Sequence, residues 1–233
     1  MTNYENVLKN LTAYRKTSGL TQNELASKIG ISQEMYSYIE NGKVIISGEL
    51  LLKLSDLGLD IDMLIAGKTY DYNALDLETA INLTALGTLP TAAEKDFILK
   101  LLAEIILNHF HKNTSPMTDN ILLLEALCLS WDNFSMLRFV RSKLNLNQAD
   151  MAELLGLGIK KYRALERENI YPDAEMLIFL YRLSGYQPSL FMNLSSRKLK
   201  IINSAWENLS PERKDAFAEC LTALNKCIAV KMQ

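Results

Sequence analysis

The feature that most limits how this chain can fold is an internal repeat. Arg15, Leu20, Gln22, Ala26, Gly30, Tyr36, Glu40, Leu51 and Leu64 reappear 126 positions later as Arg141, Leu146, Gln148, Ala152, Gly156, Tyr162, Glu166, Leu177 and Leu190, without a gap. Between these identities the apolar exchanges are conservative: Leu25 becomes Met151, Ile31 becomes Leu157 and Ile39 becomes Leu165. A fixed offset over so long a span points to one fold used twice, most simply through duplication.

The first copy is most legible from Thr21 to Lys43. Thr21 is a good N-cap with Glu24 three residues on, a capping box, and Leu25, Ala26 and Ile29 then lie at helical spacing. Gly30 suits the left-handed conformation that ends this short helix, and Ile31 fills the corner. Ser32 caps a second helix whose inward residues are expected to be Met35, Tyr36 and Ile39, and Asn41-Gly42 closes it. Ala26 supplies the small side chain that two steeply crossing helices require. The product is a helix-turn-helix. Before it, Tyr4 to Thr17 reads as a helix with Val7, Leu8, Leu11 and Tyr14 inward. After it, Ser47 caps a fourth helix carrying Leu50, Leu51, Leu54 and Leu57, and Asp60 or Asp62 starts a short fifth that ends at Gly67.

The span Tyr4 to Gly67 resembles the Cro and lambda-repressor family of bacterial and phage regulators, often called Xre-type. The residues that carry the resemblance are the Gln-x-x-Leu-Ala-x-x-x-Gly-Ile-Ser-Gln core from Gln22, Arg15 before it, Glu40 followed by Asn-Gly-Lys, and the closing Leu-Asp-Ile-Asp-Met-Leu-Ile segment. It implies an all-α fold of two lambda-repressor-like five-helix DNA-binding domains in tandem, each followed by additional helices. It also implies a partly buried ion pair between Arg15 and Glu40, tying the first helix to the third as scaffold.

Composition narrows the function. A hydrophobic content of 48% with only 5 Pro and 10 Gly fits a helical globular chain, not a disordered one. With 25 basic and 27 acidic residues the net charge is -2, so the positive charge that phosphates demand would have to be segregated by face. The first residues lack the basic start and apolar run of a signal peptide, and no apolar run approaches bilayer-spanning length; no membrane partner and a cytoplasmic location are expected. Cys128, Cys220 and Cys227 are odd in number and lack metal-ligand spacing, so they read as buried free thiols in a reducing compartment. His109 and His111 fall on different faces of one helix and are not expected to share a metal. No nucleophile, paired carboxylates or phosphate-binding Gly loop is evident; no enzyme, cofactor or small-molecule ligand is expected.

Outside the copies, Lys68 to Asn73 reads as a connector, and a helical pattern from Ala74 breaks at Gly87 to Pro90. A long helix then runs from Thr91 to Lys112, and its Phe97, Ile98, Leu101, Leu102, Ile105, Ile106 and Leu107 form a face too wide for one-sided burial. Asn113 to Pro116 is a candidate boundary, and Asp119 to Ser130 is another apolar helix. Near the C-terminus Asn208 to Glu212 opens a closing helix with Phe217, Leu221 and Leu224. The expected division is residues 1–68 as the first helix-turn-helix domain, 69–131 as a helical connector and dimerisation region, 132–195 as the second, divergent helix-turn-helix domain, and 196–233 as C-terminal helices.

A recognition helix reads base edges with its outward residues. In the first copy these are Gln33, Glu34, Ser37 and Tyr38, behind the Ser32 cap. By resemblance Gln33 reads a base, adenine most naturally, while Gln22 touches phosphate and braces Gln33; Asn41 and Lys43 are placed to reach the backbone. Glu34 either accepts from cytosine N4 or favours the helix N-terminus while repelling phosphate. In the second copy Ile159, Lys160, Arg163 and Ala164 hold the outward positions, Gly158 replaces the cap, and Arg167-Glu168-Asn169 replaces Asn-Gly-Lys. Gln148 remains, and Lys160, Lys161, Arg163 and Arg167 make this copy the more positive; it either holds phosphates or reads a different half-site, or it is a degenerate copy serving dimerisation or partner binding. The expected function is a transcriptional regulator, most simply a repressor, on double-stranded DNA. The rival is a protein-interaction module of antitoxin or antirepressor type. A homodimer presenting two first copies to a palindromic operator is favoured over an unlike pair within one chain on an asymmetric one, because Gly158 and Ile159 make the second copy the poorer reader.

Overall fold

The computed structural model describes residues 3–69, 92–112, 117–217, 219 and 223, and every regular element among them is helical. In the first copy these are α1 (Tyr4–Thr17), α2 (Gln22–Ile29), α3 (Gln33–Glu40), α4 (Gly48–Asp56) and α5 (Ile61–Ala66). Next come α6 (Ala92–Lys112) and α7 (Asp119–Leu129). The second copy comprises α8 (Met136–Lys143), α9 (Gln148–Leu154), α10 (Ile159–Glu166), α11 (Ala174–Ser184) and a 3-10 turn, Pro188–Phe191; α12 (Arg197–Trp206) follows.

Local chemistry sets the ends of these helices. The Thr21 hydroxyl accepts from the Glu24 amide while the Glu24 carboxylate accepts from the Thr21 amide, and Gly30 stops α2 at φ 71°. Ser32, Ser47 and Asp60 cap α3, α4 and α5. In the second copy Asn147 and Asp150 rebuild the capping box with different residues. Val7, Leu11, Leu25, Ala26, Tyr36 and Ile39 are buried as their spacing requires. Two expected core residues are not: Met35 is 41% and Leu57 37% exposed. On an eight-residue helix the large Tyr36 ring takes the inward position of the turn it shares with Met35. Leu57 is the C-cap of α4, where the chain has already left the helical face.

The repeat holds at the level of single bonds. Arg15 donates to the Leu20 carbonyl and Arg141 to that of Leu146, both at 3.0 Å. The Ile31 amide meets the Ala26 carbonyl at 3.0 Å, and that of Leu157 meets Ala152 at 2.8 Å. Gly19 and Gly42 stand at φ 69° and 73°, and their counterparts Asn145 and Glu168 keep the left-handed turn at 55° and 60°. A non-glycine residue there carries a steric cost, so the shared geometry outlasts the residue best suited to it.

The chain forms two compact units that do not follow chain order. One holds residues 1–70 and 135–194, and therefore both copies; the other holds 71–134 and 195–233. In the first unit α5 packs on the 3-10 turn and on α11, and α1 also meets α11. Asp62, 1% exposed, accepts from the Ser189 amide at 2.8 Å and from its hydroxyl at 2.6 Å. The Ala174 amide donates to the Ile46 carbonyl at 3.0 Å. In the second unit α6, α7 and α12 pack on one another, so the wide apolar face of α6 is covered from two sides. Phe97, expected on that face, is 59% exposed. Most of the apolar surface of α6 and α7 is thus buried inside the unit, through Ile98, Leu102, Ile106, Leu124 and Ile202 among others. Asp96 organises one edge: it accepts from the Trp131 indole at 2.8 Å and from Lys198 at 2.6 Å, and Lys198 lies 4.4 Å over the Trp131 ring.

Cys128 is half-buried, and burial, with Glu104 and Glu125, pushes its thiol up to about 12, so it stays protonated and inert at neutral pH. Cys220, Cys227, Leu221, Leu224 and the segments 70–91 and 113–116 lie outside the described residues. His111 sits 3.5 Å from Glu125, while the His109 ring meets the edges of Phe110 and Phe217. Among the described residues no group of side chains is arranged to hold a metal, and no helix is long and apolar enough to cross a membrane.

The ion pair implied by resemblance is present in both copies. Arg15 Nε reaches Glu40 at 2.9 Å with side chains 13% and 8% exposed, and Arg141 reaches Glu166 at 2.9 Å with 18% and 4%. Arg15→Ala leaves the Glu40 carboxylate without its cation and is expected to lower stability by about 3 kcal/mol in denaturant titrations, whereas Arg141→Ala leaves Glu166 the half-exposed Arg138, 3.6 Å away, and is expected to cost somewhat less.

Candidate nucleic-acid interface

Tyr36 and Ile39 anchor α3 by burial, and Ser32 fixes its start by accepting from the Met35 amide at 3.1 Å. What remains outward is Gln33, Glu34, Ser37 and Tyr38, as their spacing requires. Three of the candidate residues are joined on this surface. The Tyr38 hydroxyl donates to Glu34 at 2.7 Å, and Lys43 Nζ lies 5.3 Å from the centre of the Tyr38 ring. The bond to Glu34 pushes the Tyr38 phenol up, so it stays protonated and gives Glu34 one donor of its own. Asn41 donates to the Ser37 carbonyl at 2.8 Å and hydroxyl at 3.2 Å, so its amide nitrogen closes the end of α3.

Gln22 is placed differently from expectation. Its amide nitrogen donates to Glu40, and among the described residues no bond joins it to Gln33. The physical reason is proximity to a buried carboxylate, a stronger acceptor than an exposed amide. Bracing of an outward residue occurs in the second copy instead. There Gln148 donates to Glu166 at 3.1 Å and accepts from Arg163 Nε at 3.1 Å, so it holds the guanidinium at the position of Ser37. Lys160 and Lys161 are exposed, and Gly158 makes no side-chain cap bond, as its sequence dictates. Buried Tyr162 and Leu165 still seat α10 as their counterparts seat α3.

Behind each outward helix lies one carboxylate that several donors share. Burial pushes Glu166 up, but the bonds from Arg141, Tyr162 and Gln148 and the charge of Arg141 outweigh it and hold the group at about 2. In the first copy burial likewise pushes Glu40 up, and Arg15 and Gln22 bring it below its ordinary value. Both carboxylates are therefore ionised where nucleic acid would be met, yet both point inward and are neutralised before they can repel phosphate.

Residues 11–57 match the family model described as helix-turn-helix, and residues 135–197 match a second, described as helix-turn-helix domain. The chain carries two helix-turn-helix domains in tandem. Such domains are typical of Xre-type regulators. No curated protein and no solved structure matches the chain.

The residues that join the two domains carry little signal in the sequence. A Cβ on Gly48 would stand 2.5 Å from Tyr171 Cβ and 2.7 Å from the Pro172 carbonyl oxygen. The available signal was a glycine immediately after a helix cap, where no left-handed turn calls for one. Asp62 gave a weaker hint, as an acidic residue inside a closing apolar segment.

Because Glu166 binds fewer protons folded than unfolded, its contribution to stability is complete above the ordinary carboxyl value of 4.5 and is lost as pH falls toward about 2. Melts of the parent should therefore fall through this window. Glu166→Gln should melt lower at pH 7 and show a shallower acid limb; parallel acid limbs would exclude Glu166 as a source.

Proposed function

We propose that this protein is a sequence-specific DNA-binding transcriptional regulator, in its simplest form a repressor, and that the first domain reads its operator through α3. The observation that carries the reading is the seating of α3: capped by Ser32, buried through Tyr36 and Ile39, and backed by Glu40 with its Arg15 and Gln22 donors, it holds Gln33 and Ser37 outward on a rigid support. A side-chain amide in that place can pair bidentately with adenine in the major groove. Lys43 supplies positive charge at the end of the helix, and Glu34 is occupied by Tyr38. Gln22, Ser32 and Asn41 support the helix and its approach to phosphate. In the second domain Lys160, Lys161 and Arg163 act on the backbone, with Gln148 positioning Arg163.

In this reading residues 1–68 are the reader, 69–131 and 196–233 are helical support, and 132–195 are the second contact. The cytoplasm is the location that fits. The rival, a protein-interaction module of antitoxin or antirepressor type, differs in one measurable respect: selection from random duplex DNA at moderate salt would enrich no sequence.

Gln33→Ala should weaken the selected site by about 1–3 kcal/mol and relax preference at one base pair, whereas Lys43→Ala should weaken all duplexes about equally. Fluorescence anisotropy on single-base variants of the site is the measurement. An unchanged preference in Gln33→Ala would sink the assignment of this side chain.

A further inference from the structure

We propose that the two domains form a pseudo-dimer within one chain, and that a single chain reads an asymmetric duplex site with α3 on one half and α10 on the other. This rests on the DNA-binding reading above and adds to it the stoichiometry and symmetry of the complex. The Ile46 carbonyl accepts from Ala174, and Ala174 is the counterpart of Gly48 in the repeat. Gly48 in turn lies against Tyr171 and Pro172, the counterparts of Ile45 and Ile46, so closely that no Cβ fits beside them. One residue meeting the counterpart of another, while that other meets the counterpart of the first, is the signature of a two-fold interface. Such an axis would run near Ser47 and Asp173, themselves counterparts and the N-caps of α4 and α11.

The last elements of the two domains agree, while α1 and α5 also pack on α11 beyond what an exact two-fold would give. α5 packs on the 3-10 turn that occupies its own place in the repeat, and buried Asp62 binds Ser189, the counterpart of its neighbour Met63. The surface with which a domain would pair to a copy of itself is thus already occupied from within the chain. A two-fold relation leaves α3 and α10 at the same height along the axis. This is how two reading helices meet a duplex, about one turn, roughly 34 Å, apart. Their outward faces differ. Gln33 and Ser37 are uncharged, whereas Lys160, Lys161 and the braced Arg163 are cationic. Base preference should therefore concentrate on the half-site under α3, while α10 contributes mainly phosphate contacts and salt dependence. This replaces the palindromic homodimer favoured by sequence.

The test takes the full chain through selection from random duplexes, then footprinting and sedimentation of the complex on the selected duplex. The expected result is one chain per duplex, protection of two half-sites and base preference in only one. The variant Lys160→Ala/Lys161→Ala/Arg163→Ala changes exposed side chains alone. It should lower the slope of log affinity against log salt by about 3 and remove protection of the less selective half, with base preference kept. Gly48→Ala should reduce affinity for the full site at least about ten-fold by separating the domains, leaving the preferred half unchanged. If Gly48→Ala fails to fold in melts, the triple variant decides by itself. Two chains on a palindromic site, or a triple variant with unaltered salt slope and footprint, would overturn the in-chain pair while leaving DNA binding intact. Enrichment of no sequence at all would instead overturn the DNA-binding reading.

Discussion

Each domain is built around a buried carboxylate. Glu40 receives Arg15 from α1, Gln22 from α2 and Tyr36 from its own helix; Glu166 receives Arg141, Gln148 and Tyr162 in the same way. Three helices of a small domain bury little apolar area between them, and α2 and α3 have only eight residues each, too few to be stable alone. A shared ion with donors from three helices fixes their mutual angles where a few aliphatic contacts would leave them loose. The cost of burying the charge is offset only because every donor is present at once, which makes the cluster cooperative in a way that an isolated surface pair is not. The outward face of α3 inherits its placement from this cluster.

Much of the fold was legible because its signals are local. Thr21 with Glu24, Gly30, Ser32, Ser47 and Gly67 mark helix ends by residue type alone, and the structure sets the helices between them. The constant offset carried that reading into the second domain even where Gly158 and Glu168 replace more favourable residues. Met35 and Phe97 were misread because apolar spacing gives the direction of a side chain, but burial depends on what packs opposite, which spacing does not contain; Leu57 was misread because it is the C-cap of α4, beyond the reach of helical spacing. The outward set on α3 could be read, but not its internal bonds. Tyr38 with Glu34 and Asn41 with Ser37 are pairs four residues apart whose rotamers are chosen by the surface they share. Gln22 turned to Glu40, not Gln33, because a buried carboxylate outcompetes an amide, an energetic comparison that no motif records.

The contact between the domains was the least legible part. It depends on Gly48 having no side chain and on Asp62 finding Ser189, residues far apart in sequence whose types are unremarkable. Duplicated domains begin with identical surfaces, and any two-fold contact available to the parent is available to the pair. Once that contact is made inside the chain, the two outward faces are released from the need to match. In the second copy the carboxylate cluster, the capping box and three left-handed turns persist, whereas the outward residues of α10 share none of the chemistry of α3.

The packing of Gly48 against Pro172 has a further consequence for dosage. Domains that meet as separate chains are paired only above their dissociation constant, and occupancy of a paired target then rises with the square of protein concentration. Domains tethered in one polypeptide are paired at every concentration, so occupancy rises in simple proportion to copy number. In the proposed in-chain pair, the protein would respond gradually to changes in its own synthesis, keep its two halves in equal supply, and resist mixed pairing with related chains.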